Sequence, residues 1–333
     1  MGITSQEIAR LANVSRSTVS RVINHYPNVP EETRQKVLKV IREYDYHPNE
    51  IARALAGKAS TEIGLFVLEQ RYGGLMASKF IHRMISALVR ICYENQSALS
   101  VYLVQNEQDF ENIKDTYRRK KICGGIFVGF EYKMDWVDAL IREGFNMAVV
   151  DVDPAEVKSA ENAGILVFDN EQAGYMATRH LISLGRKHIL HVSGDGRLSS
   201  VKRREGYLRA MREAGLENQT MVVEGNFDPA TATKEVIKAI RSGAQIDGIF
   251  VSSDRMGFGV VHAIREQGLM VPGDIAVIGC DHVDEIANIQ EIKLTSIFLP
   301  QTELVSTAVK MLLGKQPKEV LTEPVQMVSG ETA

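Results

Sequence analysis

Apolar residues in the first 45 positions fall into three short groups at helical spacing, each bounded by a start or stop signal. Ile8, Leu11 and Ala12 make the stripe of a first helix, with Thr4 as its N-cap and Glu7 completing a capping box. Asn13 stands where the chain must turn sharply, and asparagine tolerates the left-handed conformation of a tight turn. Ser15 caps a second helix over 16–24, whose core face is Val19, Val22 and Ile23. At about 100° per residue, Ser17, Ser20, Arg21 and Asn24 lie on the opposite face, and Arg16 projects from the first turn. A loop through Tyr26-Pro27-Asn28 leads to a third helix over 31–44, with Val37, Leu38 and Ile41 inward. His47-Pro48-Asn49 stops that run and offers a new cap, so 50–56 can add one or two helical turns before Gly57. Seven residues are too few to hold a helix alone in water, because nucleation is costly. That turn needs support from elsewhere.

From Glu62 the texture changes to short apolar runs alternating with amphipathic helices. Strands are expected over 63–68, 100–104, 125–128, 147–152, 165–168, 188–192, 221–224, 248–251 and 276–280. Helical patterns fill most of the gaps, including 79–95, 172–184, 202–214, 230–242 and 257–267. Strand–helix alternation over this length predicts parallel sheets with helices on both faces. So many strands divide more comfortably between two sheets than into one. The expected body is therefore a pair of doubly wound α/β lobes facing each other across a cleft.

Composition narrows the class. With 44% hydrophobic and 24% charged residues in 333, the chain has material for an ordinary globular core. No run of 18 apolar residues occurs, and the opening MGITSQEIAR lacks the apolar region of a secretory signal. Cys92, Cys123 and Cys280 are odd in number and far apart, which fits reduced core thiols better than a disulfide framework or a metal site. The expected location is the cytoplasm, with no membrane partner. Net charge is −3 overall, yet residues 1–60 carry nine Lys/Arg against six Asp/Glu, which leaves −6 on the remainder. A basic head on an acidic body points phosphate contact at the head alone.

A helix, a tight turn and a second helix with a polar outer face is what a DNA major groove accepts. Arg16 and Arg21 suit guanine edges or phosphates, and Ser17 and Ser20 are short hydrogen-bonding groups. An ordinary small helical domain with solvated serines and arginines fits the same pattern.

The stretch TSQEIARLANVSRSTVSRVINHYPNVPEETRQKVLKVIREYDYHPNEIARALA closely resembles the head of the lac repressor (LacI/GalR) family, through VSRSTVSRVIN and then YHPNEIARALA. The resemblance implies a homodimer on a near-palindromic double-stranded DNA operator. On the matching positions, Arg16, Ser17 and Arg21 reach base edges, while Thr4, Ser15, Thr18 and Asn24 hold phosphates. It also implies a hinge helix that folds only on DNA, with Leu55 wedged between base pairs in the minor groove. Burial of Leu55 against the protein's own surface is the alternative. The implied domains are 1–46 (helix-turn-helix), 47–60 (hinge) and 61–333 (two-lobed effector-binding and dimerisation body).

The body resembles the family more loosely, in VFDNEQAGYMATRHLISLGRKHILHVSG, RREGYLRAM, GLMVPGDIAVIGCD and LTSIFLP. What this implies is a fold shared with periplasmic sugar-binding proteins: two similar lobes, three crossing strands and a small-molecule effector in the cleft. Arg203 and Asp281 then point into the cleft, with Asp254 also at a family ligand position. EGNFDP is similar to the purine repressor branch, which places Phe227 as a stacking platform and Arg197 and Ser199 as polar contacts. Each has a plainer reading: Arg203 as a solvated helix start, Asp281 as a cap, Phe227 as core. The segment EQRYGGLMASKF lacks the family's Asn-Pro-aromatic-aromatic contacts, for which Tyr72 or Phe80 are the available substitutes. The effector class therefore stays open among sugars, sugar phosphates and purines.

Other classes find less support. GxGxxG, GxxxxGK[ST] and GxSxG are all missing, so an enzyme is not expected, and neither is a cofactor. His188 and His191 on one strand point to opposite faces, which suits no shared metal. A solute-binding protein has no use for the helix-turn-helix. No heptad tail follows Leu312-Leu313, so the expected assembly is a dimer.

Overall fold

The computed structural model describes residues 4–23, 26, 28–44, 61–68, 79–119, 121–130, 133–158, 162–282 and 292–333. Contacts divide the chain into two units, residues 1–60 and 61–333. In the first unit the helices start where their caps dictate. Helix α1 (Ser5–Leu11) opens on the reciprocal Thr4–Glu7 capping box. Asn13 takes φ +52°, the left-handed turn its side chain tolerates, and α2 (Arg16–Ile23) follows. Helix α3 (Glu31–Glu43) closes the unit over a small core of Ile8, Ala9, Ala12, Val19, Val22, Val29 and Val37. Leu38 and Ile41 pack only half-buried against it. Asn24, Leu55 and the 50–56 turn lie outside the described residues.

The body holds two six-stranded sheets. The first comprises β1 (Ile63–Leu68), β2 (Leu99–Val104), β3 (Gly124–Val128), β4 (Met147–Val150), β5 (Gly164–Phe168) and β11 (Val320–Glu323), in the order β11-β5-β4-β3-β1-β2. The second comprises β6 (Ile189–Ser193), β7 (Met221–Glu224), β8 (Gly248–Val251), β9 (Ala276–Cys280), β10 (Thr295–Phe298) and β12 (Gln326–Val328), in the order β12-β10-β9-β8-β6-β7. Pairing is parallel except where β12 runs antiparallel to β10. Central strands are buried on both faces, as β1 is throughout, which is why they read as unbroken apolar runs.

Helices flank both sheets: α4 (Lys79–Glu94), α5 (Glu107–Arg118), α6 (Met134–Arg142) and α11 (Gln301–Leu312) around the first, and α7 (Asn170–Ser183), α8 (Leu198–Glu213), α9 (Pro229–Arg241) and α10 (Asp254–Glu266) around the second. One face of the first sheet packs on Phe110, Trp136 and Leu140 of α5 and α6. The far face of the second packs on Val236, Val260 and Ile264 of α9 and α10. A third apolar cluster runs through both lobes, from Leu65 and Leu88 to Ile278 and Leu304. The chain changes lobe three times: after β5, between β10 and α11, and between β11 and β12.

All nine expected strands form, and three more join them. β11 and β12 are edge strands of four and three residues with largely exposed sequences of mixed polarity. Pairing with β5 and β10, more than their own patterning, makes them strands. One boundary also moves, since the strand expected over 147–152 stops at Val150. Asp151 turns out of it at φ +60°.

Candidate nucleic-acid interface and ligand cleft

On α2 the side chains separate cleanly. Val19 and Val22 are wholly buried, while Arg16, Ser17, Ser20 and Arg21 are exposed on the other side. The Ser15 hydroxyl accepts the Thr18 backbone N–H at 3.1 Å and lies 2.7 Å from Ser17 Oγ and 2.8 Å from Thr18 Oγ1. That hydroxyl cluster fixes the first turn and leaves rotatable O–H donors at the surface. Thr4 accepts from the Glu7 N–H at 3.3 Å, and its own backbone N–H donates to Glu7 Oε2 at 2.7 Å. The Thr4 hydrogen bonds hold the Glu7 carboxyl below its ordinary pKa. The face presents two guanidinium groups and several short hydroxyls, all suited to phosphate oxygens and base edges.

The cleft cluster forms where strands of both sheets end, the place open α/β sheets bind ligands. Its centre is Arg203 on α8, only 4% exposed. Arg203 Nε donates to Asn170 Oδ1 at 3.0 Å, Nη1 donates to the Ser252 carbonyl after β8, and Nη1 lies 3.7 Å from Asp281 Oδ1 after β9. Asn170 in turn donates to Asp151 Oδ1 at 3.1 Å, at the end of β4. A continuous polar chain thus runs from the first lobe into the second. Arg83 of α4 makes a second tie, donating from Nη1 to the carbonyls of Asp281 (3.1 Å) and His282 (2.6 Å). Asp281 and His282 both have positive φ, +102° and +50°, and this turns their carbonyls toward α4.

Arg203 reaches this position because α7 and α8 approach at backbone distance. A Cβ on Gly174 would lie 1.9 Å from the Arg203 carbonyl oxygen, and one on Gly206 would lie 1.9 Å from that of Glu171. Only glycine fits at either place. Burial pushes the Asp281 carboxyl up to about 6, although Arg203 and Arg83 pull against that shift. Burial also raises Asp151 against the pull of Arg203 and the Asn170 hydrogen bond.

The remaining cleft candidates separate. The Arg197 guanidinium lies 4.7 Å from the Phe227 ring centroid, and it is clamped by Asp195 at 2.7–3.0 Å. Phe227 is half-buried at φ +53°, in the loop between β7 and α9, and packs against the second lobe's core. Ser199 is buried in the first turn of α8. Asp254 is buried and accepts from Ser296 Oγ at 2.6 Å, a contact internal to the second lobe. Phe80 packs edge-on against Phe168, while Tyr72 lies outside the described residues. His191 is buried between Tyr207 and Phe250, and burial drives its pKa down to about 3. Among the described residues no group of three or more His, Cys, Asp or Glu could hold a metal.

Comparison with known proteins matches this two-part layout. Residues 4–49 match the bacterial regulatory proteins of the lacI family, and residues 178–332 match the periplasmic binding protein-like domain. The HTH-type transcriptional repressor PurR of Actinobacillus pleuropneumoniae serotype 3 (strain JL03) is 30% identical over 316 residues, which cover 94% of this chain and 90% of that protein. The chain belongs to the lacI family. Catabolite control protein A of Priestia megaterium is 29% identical over 329 residues, covering 98% and 96% of the two chains. A crystal structure of the lac repressor dimer bound to operator and the anti-inducer ONPF superposes at a TM-score of 0.86, with 24% identity and coverage of 100% and 99%. A complex of the transcriptional regulator CelR with cellobiose gives 0.71 at 24% identity, with coverage of 99% and 100%. These likenesses establish the fold.

This lacI-family chain is therefore a transcription regulator, with a DNA-binding helix-turn-helix and a periplasmic-binding-protein-like body. No helix among its described residues is long and apolar enough to cross a membrane. Three members of the cleft network escaped the sequence reading: Asp151, Asn170 and Arg83. A signal existed for two of them. Asp151 follows an apolar run, and Asn170 follows Asp169 at a helix start, both at strand ends. For Arg83 there was none, since it sits mid-helix and acts on carbonyls 198 and 199 residues away.

Proposed function

We propose that the protein is an effector-responsive repressor that binds a near-palindromic operator as a homodimer in the cytoplasm, without enzymatic activity. The division of labour is residues 1–46 for reading, 47–60 as hinge and 61–333 for effector binding and dimerisation. The observation that carries this reading is the exposed face of α2, where Arg16, Ser17 and Arg21 stand opposite the buried Val19 and Val22. Arg16, Ser17 and Arg21 read base edges, while Thr4, Ser15, Thr18 and Asn24 hold phosphates. Leu55 wedges into the minor groove, and its hinge gains the helix it cannot hold alone by folding on DNA.

The effector is a small polar metabolite such as a sugar, sugar phosphate or purine. It sits against Arg203 and Asp281, with Phe227, Arg197, Ser199 and Asp254 around it. Stacking on Phe227 displaces the Arg197 guanidinium that lies near the ring. A dimer face is available on the first lobe: edge strand β2 exposes Val101 and Leu103, and α4 exposes Val89 and Tyr93. The dimer and operator of the lac repressor structure support the same assembly for this chain. Effector and operator then bias one equilibrium through a coupling free energy between cleft and head.

The test is selection of a duplex from a random pool, followed by anisotropy titration with the wild-type chain and the Leu55→Ala variant. A palindromic consensus and weaker binding by a still-dimeric variant are expected. A pool that yields no consensus would sink the reading, and unchanged affinity in Leu55→Ala would remove the wedge.

A further inference from the structure

The loops that follow β6 and β7 leave the second sheet side by side, since Ser193 pairs with Glu224 and the Gly225 N–H donates to the Ser193 carbonyl at 2.8 Å. The first loop carries Asp195 and Arg197, the second Phe227. The Phe227 ring packs on Gly194, where a Cβ would come within 2.2 Å of it, and the Arg197 guanidinium lies over the ring at 4.7 Å from its centroid. The Arg197 charge also lowers the pKa of Asp151 and of Asp281, which ties this loop to the Arg203 cluster.

That guanidinium already holds an anion. Its Nε donates to both Asp195 carboxylate oxygens, at 3.0 and 2.9 Å, and its Nη2 donates to Oδ2 at 2.7 Å. The Arg197 backbone N–H donates to Oδ1 at 3.0 Å as well. The Asp195 side chain is only 3% exposed, against 24% for Arg197, so the carboxylate is the buried partner. It takes one of the edges from which a guanidinium grips a phosphate by paired hydrogen bonds, and it offsets the charge that would draw one in.

The neighbouring groups favour an anion no better. Arg203 is engaged by Asn170, the Ser252 carbonyl and Asp281, and the charges of Asp151 and Asp254 act on it too. Among the described residues, Arg83, Arg197 and Arg203 thus face Asp151, Asp195, Asp254 and Asp281. The sequence adjoining β1 and His282, 69–78 and 283–291, adds Arg71 against Glu69, Asp284, Glu285 and Glu291. A phosphoryl dianion entering here meets repulsion, whereas an uncharged ring meets an aromatic face and hydrogen-bonding groups.

We propose that Asp195 is a specificity-determining residue: as a built-in counter-anion for Arg197, it reserves the cleft for uncharged polar ring compounds, carbohydrates or nucleobases, and turns away their phosphorylated forms. This rests on the reading of the Arg203–Asp281 cluster as the effector cleft, and it removes sugar phosphates from the candidate effectors.

The experiment is calorimetric titration of the full chain with inorganic phosphate, against sodium chloride at matched ionic strength. It compares wild type with Asp195→Asn, Asp195→Glu and the double variant Asp195→Asn/Arg197→Gln. Asparagine keeps the size of the side chain and an acceptor oxygen, and circular dichroism checks the fold. Phosphate should bind Asp195→Asn at least tenfold more tightly than wild type, and the gain should vanish in the double variant. Asp195→Glu restores the carboxylate and should exclude phosphate as wild type does. On the wild-type chain, independent of any variant, glucose, ribose and hypoxanthine are then compared with glucose 6-phosphate, ribose 5-phosphate and inosine 5′-monophosphate. No phosphorylated probe should outbind its parent, and a parent that binds names the ring class. Unchanged phosphate binding in Asp195→Asn, a gain that persists without Arg197, or a phosphorylated probe that outbinds its parent would each overturn the proposal. The phosphate comparison decides even where none of these parents is the effector. A failed operator selection would sink the regulator reading and leave that comparison standing.

Discussion

In the N-terminal unit the candidate contact residues Arg16, Ser17 and Arg21 stand exposed on one face of an eight-residue helix. In the body, Arg203, Asn170 and Asp254 are buried, and each already has partners from other elements. The contrast follows from what each must bind. A duplex brings a continuous charged surface that can desolvate exposed groups as it arrives. A small ligand offers only a few contacts, so its site must be ordered beforehand by a network that holds charges in place. Damage should therefore differ in kind. Changes in the head should weaken binding and leave the fold intact, whereas changes in the cleft should reach stability first.

Arg203→Ala tests that contrast most severely. It removes the cation beside Asp281 and the donor to Asn170, and leaves Asp281 and Asp151 without that cation at the strand ends. Removing one partner of a buried ion pair costs about 3–5 kcal/mol. Calorimetry of the full chain should show the body's unfolding free energy lowered by that amount. An unshifted transition would mean that the network is dispensable and that the site resembles the exposed face of α2.

Gly174→Ala should follow. The added methyl meets the Arg203 carbonyl oxygen at 1.9 Å, a backbone atom that cannot swing aside. Forcing α7 from α8 belongs at the upper end of the roughly 1–3 kcal/mol that overpacking costs. It should also move Arg203 away from Asn170, so ligand binding is lost along with stability. A variant as stable as wild type would show that the two helices can separate without disturbing the cleft.

The same contrast explains what the sequence made legible. The reading face lies within residues 4–24, where helical periodicity and caps place every side chain relative to its neighbours. One of its expected members, Asn24, falls outside the described residues, as does Leu55 of the hinge. The nine expected strands were legible as apolar runs, seven of them buried almost throughout, while the edge strands β11 and β12 owe their form to pairing with β5, about 155 residues away, and with β10, about 30 residues away. The cleft network draws on residues 83, 151, 170, 203, 252 and 281, which no local spacing connects. Arg203 and Asp281 entered through family resemblance. Arg83 and Asn170 depend on how helices pack across two sheets, and periodicity does not report that.

A smaller effect sharpens the comparison from the head. Arg21 is exposed, so Arg21→Ala should leave thermal stability unchanged. It should still cost about 1–3 kcal/mol of specific operator binding, as a base-contacting arginine does. Anisotropy on selected and scrambled duplexes decides it. Equal weakening on both would make Arg21 a phosphate contact, and a drop in melting temperature would place it with the cleft residues instead.

The smallest expected effect lies at Thr4, where the head, like the cleft, holds a charged group by hydrogen bonds before any ligand arrives. Thr4 lowers the Glu7 carboxyl from its ordinary value of 4.5 by donating to it from both its backbone N–H and its hydroxyl within the capping box. A carboxylate whose folded pKa is depressed adds stability above its unfolded value, and that stability is lost as pH falls through the folded value. Thr4→Ala should therefore speed amide exchange in α1 at neutral pH, by roughly fivefold for the loss of a cap. The ratio of variant to wild type, compared at one pH at a time, should shrink below about pH 4.5 as Glu7 takes up its proton. Hydrogen-exchange mass spectrometry on the α1 segment reads that ratio directly. A ratio that stays constant from neutral to acid pH would mean that the Thr4 hydroxyl alone holds the helix start, and that the head has no prearranged charge to compare with the cleft.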